Sequence, residues 1–255
     1  MTISTSEKYI AEDIAELSRR AAEVVVAAIA AALKTKSVCS MVLSGGSSPR
    51  HLYALFASDP AFKAQIPWGK VHFFWGDERH VSPRHHESNY RMVHECMLSR
   101  LPVPAQNIHR IKSEIPDASQ AARQYQQEIS NFFQLKAGQL PRFDCVLLGM
   151  GVDGHTASLF PQSAALDEQN RLVVANWVEA IQTNRITMTI PVLNNAESIV
   201  FLVCGENKAE TLKLVLEGEK RSKQYPAQMI EPVHGKLLWI IDRAAAGELN
   251  LASQK

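Results

Sequence analysis

Residues 143–161 read FDCVLLGMGVDGHTASLFP. The apolar run FDCVLL stops at Gly149, and Gly149-x-Gly151-x-x-Gly154 follows directly. An apolar run ending in glycine reads as a buried strand, which puts the loop after it at a strand's carboxyl end. The glycine spacing is that of a dinucleotide-binding fingerprint, which needs a helix after the third glycine to aim its N-terminus at a pyrophosphate. Pro161 comes seven residues after Gly154, so any helix between them has one or two turns at most. Asp167 and Glu168 follow a proline and serines instead of ending a second strand, and the motif lies past the chain's midpoint. These departures argue against NAD. The glycines are read instead as letting the backbone turn tightly or approach a ligand closely, around Asp153 and His155 at i and i+2.

The same strand-then-loop unit recurs on both sides of this stretch. Upstream, CSMVLSG leads through glycines to PRHLYALFAS, a helical pattern with Pro49 as its expected first residue. VHFFWGDER reads as a strand that ends in charge, and SNYRMVHECMLSRL reads as a helix. Downstream, RITMTIPVLNNA and SIVFLVCG read as strands, NKAETLKLVLEG as a helix, and KLLWIIDRAAA as a last strand and helix. Residues 7–34 have a long helical pattern that Ser6 or Thr5 could cap. Apolar strands alternating with amphipathic helices predict an α/β fold with a mostly parallel sheet and helices on both faces. The proline-rich stretch 100–117 is too short to divide the chain, so residues 1–255 are read as one domain. In such folds ligands sit beyond the carboxyl ends of the strands, which makes the loops after LSG, FFWGDE and CVLLGMG neighbours.

Composition narrows the partners. Over 255 residues the net charge is +1, with 46% apolar and 21% charged residues, so no broad basic surface points to nucleic acid or an anionic membrane. Any bound anion is held locally. The four cysteines are widely spaced without a C-x-x-C pair, and are expected to be reduced and buried in a cytoplasmic protein. The N-terminus has no secretory pattern, and AAEVVVAAIAAAL is too short to span a membrane.

Three clusters carry the chemistry. A carboxylate two residues from an imidazole, as in Asp153 and His155, can hold the ring and suits general-base work; a capped turn with a surface histidine is the plainer alternative. Ser44, Gly45, Gly46, Ser47 and Ser48 lie between a strand and a helix, where exposed N–H groups and hydroxyls suit a phosphate, although a simple tight turn has the same composition. Asp77, Glu78 and Arg79 follow a strand of aromatics and are either a functional cluster or merely solvated charge. His80, His85 and His86 have neither helical i, i+4 spacing nor supporting cysteines, so no metal is expected.

Taken together, S-G-G-S-S-P, W-G-D-E-R, S-N-Y, G-M-G-V-D-G-H-T-A-S-L-F-P, R-I-T-M-T-I-P-V-L-N, Gly205-x-x-Lys208 and P-A-Q-M-I-x-P resemble the 6-phosphogluconolactonases, relatives of the glucosamine-6-phosphate deaminases. The motifs run in the family's order across about residues 40–245, departing at Ser48, where threonine is usual. The resemblance implies hydrolysis of 6-phospho-D-glucono-1,5-lactone to 6-phosphogluconate in the pentose phosphate pathway, without cofactor. It also implies a modified Rossmann-like three-layer sandwich, the fold shared with those deaminases and ribose-5-phosphate isomerase. On the matching positions it makes His155 the general base, with Asp153 to orient or polarise it; a backbone carbonyl is the alternative orienting group. It puts Arg79 near the carbonyl, and Asp77 against sugar hydroxyls or Arg79. Ser44, Gly45, Gly46, Ser47, Arg185 and Lys208 are then expected to hold the 6-phosphate. The deaminases carry glutamate where this chain has Phe160, which counts against deaminase or isomerase activity. A non-catalytic sugar-phosphate-binding regulator would keep the phosphate loop but lose the base.

Overall fold

The computed structural model describes residues 6–250. Its elements in chain order are β1 (Ser6–Ala11), α1 (Ile14–Leu33), β2 (Cys39–Leu43), α2 (Ser47–Ser58), α3 (Pro60–Gln65), β3 (Val71–Trp75), β4 (Asp77–Arg79), α4 (Asn89–Cys96), β5 (Ile108–His109) and α5 (Ala118–Phe133). Then follow β6 (Cys145–Leu148), β7 (Val173–Val178), β8 (Thr183–Met188), α6 (Ile190–Asn194), β9 (Ser198–Val203), α7 (Ala209–Glu217) and β10 (Lys236–Asp242). Seven strands form one sheet in the order β1-β10-β9-β6-β2-β3-β5, and β4-β8-β7 form a second, smaller one. Every pairing in the large sheet is parallel, and both in the small sheet are antiparallel.

The buried strands explain the apolar runs. Every residue of β2 and β6 is buried, as expected of strands covered on both faces. Phe73 and Phe74 show the two faces directly, because successive strand side chains point opposite ways. Phe73 stacks on Trp68, which meets Phe56 of α2, whereas Phe74 packs edge-on against Phe132 of α5. Helices therefore cover both sides, giving an α/β three-layer sandwich. One contiguous apolar cluster includes residues of both sheets.

Several elements differ from the sequence reading. Ser6 begins a strand, not a helix; β1 pairs in parallel with β10, and Asp13 caps α1 by accepting from the N–H groups of Ala15 and Glu16 at 2.9 Å. Thr5, the alternative cap, lies outside the described residues. No local pattern separates SEKYIA from a helical turn; the open edge of β10 decides it. Likewise α2 starts at Ser47, so Pro49 lies inside its first turn. VHFFWGDER is broken at Gly76, after which β4 joins the small sheet. RITMTIPVLNNA gives β8 and then α6, since Pro191 has no N–H to continue a ladder. After β10 the chain makes turns instead of a helix, with the Asp242 carboxylate accepting from the N–H of Ala245 at 2.7 Å. Helices α3 and α5 and strands β5 and β7 have no counterpart in the sequence reading.

Candidate active site

The chain runs from β2 outward to β3 and β5, then returns through β6 to β9 and β10 on the other side. The strand order thus reverses between β2 and β6, and such a switch point opens a crevice at the strands' carboxyl ends. The loops after β2, β3, β6 and β9 meet there. They line a cavity of about 200 Å³ that includes Ser44, Gly45, Gly46, Ser47, Ser48, Asp77, Arg79, Asn89, Gly151, His155 and Lys208. Larger hollows elsewhere on the surface contain none of these residues.

The loop after β6 presents the imidazole. His155 Nδ1 lies 2.5 Å from Asp153 Oδ1, and the same oxygen accepts from the His155 backbone N–H at 3.1 Å. Burial acts to raise the Asp153 carboxyl pKa, but the hydrogen bonds from His155 and its charge together outweigh it and hold the value below the usual range. A carboxylate on Nδ1 fixes the tautomer and leaves Nε2 as the basic nitrogen. One face of the ring stacks on Phe160, with centroids 4.2 Å apart. The fingerprint glycines have another use here. A Cβ on Gly151 would lie 2.1 Å from His155 Nδ1, so only glycine lets the ring fold back over this turn.

The loop after β2 is tied down from below. Tyr53 Oη accepts from the Ser44 N–H at 3.0 Å and donates to the Ser44 carbonyl at 2.9 Å. The backbone N–H of Ser44 is therefore engaged, and its contribution to an anion is the hydroxyl. Ser44 Oγ is buried without a hydrogen-bond partner, as is Arg79 Nε. Both are polar atoms suited to a ligand rich in oxygen. Gly45 carries a second close approach, since a Cβ there would meet Asn89 Oδ1 at 1.8 Å.

The charge after β3 is a structured cluster and not solvated surface. Asp77 is buried, accepting from Ser158 Oγ at 2.6 Å and, through Oδ1, from Asn89 Nδ2 at 3.3 Å. The Glu78 carboxylate points the other way and takes the N–H groups of Asn89 and Tyr90 at the start of α4. Burial raises its pKa, against the opposing effect of those hydrogen bonds. Arg79 pairs across the small sheet with Arg185, and burial together with the Arg79 charge lowers the Arg185 pKa. Two guanidinium groups side by side favour an anion between or before them. Lys208 reaches the cavity from the turn after β9; burial lowers its pKa, while the Asp153 charge acts to raise it.

Of the residues to which the resemblance assigns a role, Asp153 and Arg185 do not line the cavity; the first meets it through His155 and the second stands opposite Arg79 on the paired strand. Asn89, Ser158 and Tyr53 were missed as individual residues. Asn89 and Ser158 lie inside quoted motifs, but nothing local indicates that their partners come from β4. Among the described residues, His85, His86 and Glu87 alone bring three metal-capable ligand atoms within 4.8 Å of one another, on an exposed turn. None of the helices is long and apolar enough to cross a membrane among the described residues.

Comparison with known proteins bears on the fold and the family. Residues 12–239 match the family described as glucosamine-6-phosphate isomerases/6-phosphogluconolactonase. A 6-phosphogluconolactonase from Synechocystis sp. is 40% identical over 233 residues, covering 91% of this chain and 94% of that protein. The solved 6-phosphogluconolactonase from Trypanosoma cruzi superposes with a TM-score of 0.84 at 27% identity, covering 98% of each chain. A monomeric glucosamine-6-phosphate deaminase shares the fold, with a TM-score of 0.78 at 20% identity over 95% of this chain and 99% of that one. With the motifs in order, the fold matched end to end and the loops converging on one crevice, the chain belongs to the glucosamine-6-phosphate isomerase/6-phosphogluconolactonase family.

Proposed function

We propose that this chain hydrolyses 6-phospho-D-glucono-1,5-lactone to 6-phospho-D-gluconate, the second step of the oxidative pentose phosphate pathway, with His155 as general base. The observation that carries this reading is that an imidazole held by Asp153 faces the same small cavity as residues 44–48, Arg79 and Lys208. His155 Nε2 takes a proton from water as its oxygen attacks the lactone carbonyl. Negative charge then builds on the carbonyl oxygen, where Arg79 stabilises it. Collapse of the tetrahedral intermediate breaks the bond to the ring oxygen, and the imidazolium returns its proton to that oxygen as the ring opens. The hydroxyls of Ser44 and Ser47, with Lys208 and Arg185, hold the 6-phosphate. Asp77 accepts from a sugar hydroxyl.

Phe160 favours hydrolysis over ring-opening deamination. Its ring lies flat on His155, where it fixes the imidazole but offers no group to move a proton. The reading places the chain in the cytoplasm and requires neither nicotinamide nor metal.

Turnover of the phosphorylated lactone, corrected for spontaneous hydrolysis, is the direct test; no rate above background would reject the assignment. Lys208→Ala is expected to raise KM about ten- to 150-fold, the worth of one charge-assisted hydrogen bond of roughly 1.5 to 3 kcal/mol, with a smaller change in kcat. Unphosphorylated gluconolactone should be turned over far less efficiently. Equal kcat/KM for the two lactones would sink the phosphate assignment. Dialysis against a chelator is expected to leave activity unchanged, and activity restored only by added zinc would refute that expectation.

A further inference from the structure

We infer that Ser158 is a positioning residue, which sets the base-bearing loop in register with the Asp77 carboxylate. The inference rests on the lactonase reading above. Ser158 follows His155 by three residues and is 1% exposed. Each of its polar groups reaches a different strand of the small sheet. The hydroxyl donates to Asp77 Oδ2 of β4 at 2.6 Å, and the N–H donates to Thr187 Oγ1 of β8 at 3.3 Å. The carbonyl accepts from Asn176 Nδ2 of β7 at 2.9 Å. The two backbone-mediated contacts hold the loop on the small sheet. The hydroxyl contact has a separate role, since it sets where a buried carboxylate points.

Asp77 is clasped from both ends. Ser158 takes Oδ2, while Asn89 Nδ2 donates to Oδ1 at 3.3 Å and to the Asp77 carbonyl at 3.0 Å. An ionised carboxylate has about four acceptor sites, so lone pairs remain for a ligand hydroxyl after both contacts. Asp77 lines the cavity at 6% exposure, leaving little room for it to choose another rotamer once substrate is bound. The loop that carries the base is therefore linked directly to the Asp77 carboxylate through one side-chain hydroxyl. Misplacement of reacting groups by about 1 Å can cost on the order of 100-fold in rate, which makes such a link worth building.

Ser158→Ala removes the hydroxyl and keeps both backbone contacts. We expect kcat to fall about ten- to 100-fold while KM moves less than about threefold, because the phosphate contacts are untouched. Ser158→Thr, which retains the hydroxyl, should recover most of that loss. The deciding measurement is the cycle with Asp77→Ala. If Ser158 acts through Asp77, the double variant is no slower than Asp77→Ala alone, whereas a merely structural role gives additive losses. Additive losses, or a Ser158→Ala enzyme within about twofold of wild-type kcat, would overturn the inference while leaving lactone hydrolysis by the wild type intact. A wild-type protein without turnover would instead reject the underlying activity.

Discussion

His155→Gln is expected to lower kcat by about 10²- to 10⁴-fold, the usual contribution of a positioned general base. Glutamine keeps a polar side chain of similar reach but cannot accept a proton from water near neutral pH. KM should change little, since the residues proposed to hold the phosphate (44–48, Arg185 and Lys208) belong to other elements. The Asp153 contact adds a graded companion: Asp153→Asn keeps the shape but removes the charge on Nδ1, and should cost less than loss of the imidazole. Steady-state kinetics, with a melting curve to confirm folding, make the check. Retention of more than about a tenth of wild-type kcat would place the base elsewhere, given the factor that a general base contributes.

Glu78→Ala is expected to be the most damaging single change for stability among the charged residues of the site. Glu78 is 1% exposed, and its carboxylate accepts from the N–H groups of Arg79 at 2.8 Å, Asn89 at 2.7 Å and Tyr90 at 2.8 Å, and from Ser88 Oγ at 3.0 Å. Alanine leaves these buried and partly buried donors without an acceptor. At about 1 kcal/mol for each of the backbone N–H groups, the low end for an unsatisfied buried donor, the loss is about 3 kcal/mol. For a chain of this size that lowers Tm by about 6 to 12 °C, at roughly 2 to 4 °C per kcal/mol. Activity should fall with it, because the start of α4 carries Asn89 into the cavity. Glu78→Gln should fall between, as its amide can accept at one end only. A calorimetric Tm within about 2 °C of wild type for the alanine variant would show that water or a rearranged loop replaces the carboxylate, since that shift corresponds to under about 1 kcal/mol.

The sequence by itself determined the layered α/β plan and the small set of loops that line the cavity. Runs such as CSMVL and CVLL are apolar because parallel strands covered on both faces must be, and that demand is local enough to read. The lack of a long helix after Gly154 was also legible: Pro161 limits any helix there, and turns occupy that segment. Asp153 and His155 are two residues apart, so their contact is nearly dictated by the chain.

Tertiary structure decided everything that depends on partners distant in sequence. Gly151 and Gly45 are needed for close approach to His155 and Asn89, which no glycine spacing announces. Asp77 and Glu78 are adjacent in sequence yet face different tasks, because β4 leaves the large sheet at Gly76 and turns alternate side chains toward the cavity and toward α4. The six residues of β1 became a strand only because β10 had an edge to pair. Local pattern reports which face of an element is apolar. It does not report which distant element will supply the hydrogen-bond partner, and in this site those long-range partners set the positions of Asp77, Asn89 and Ser158.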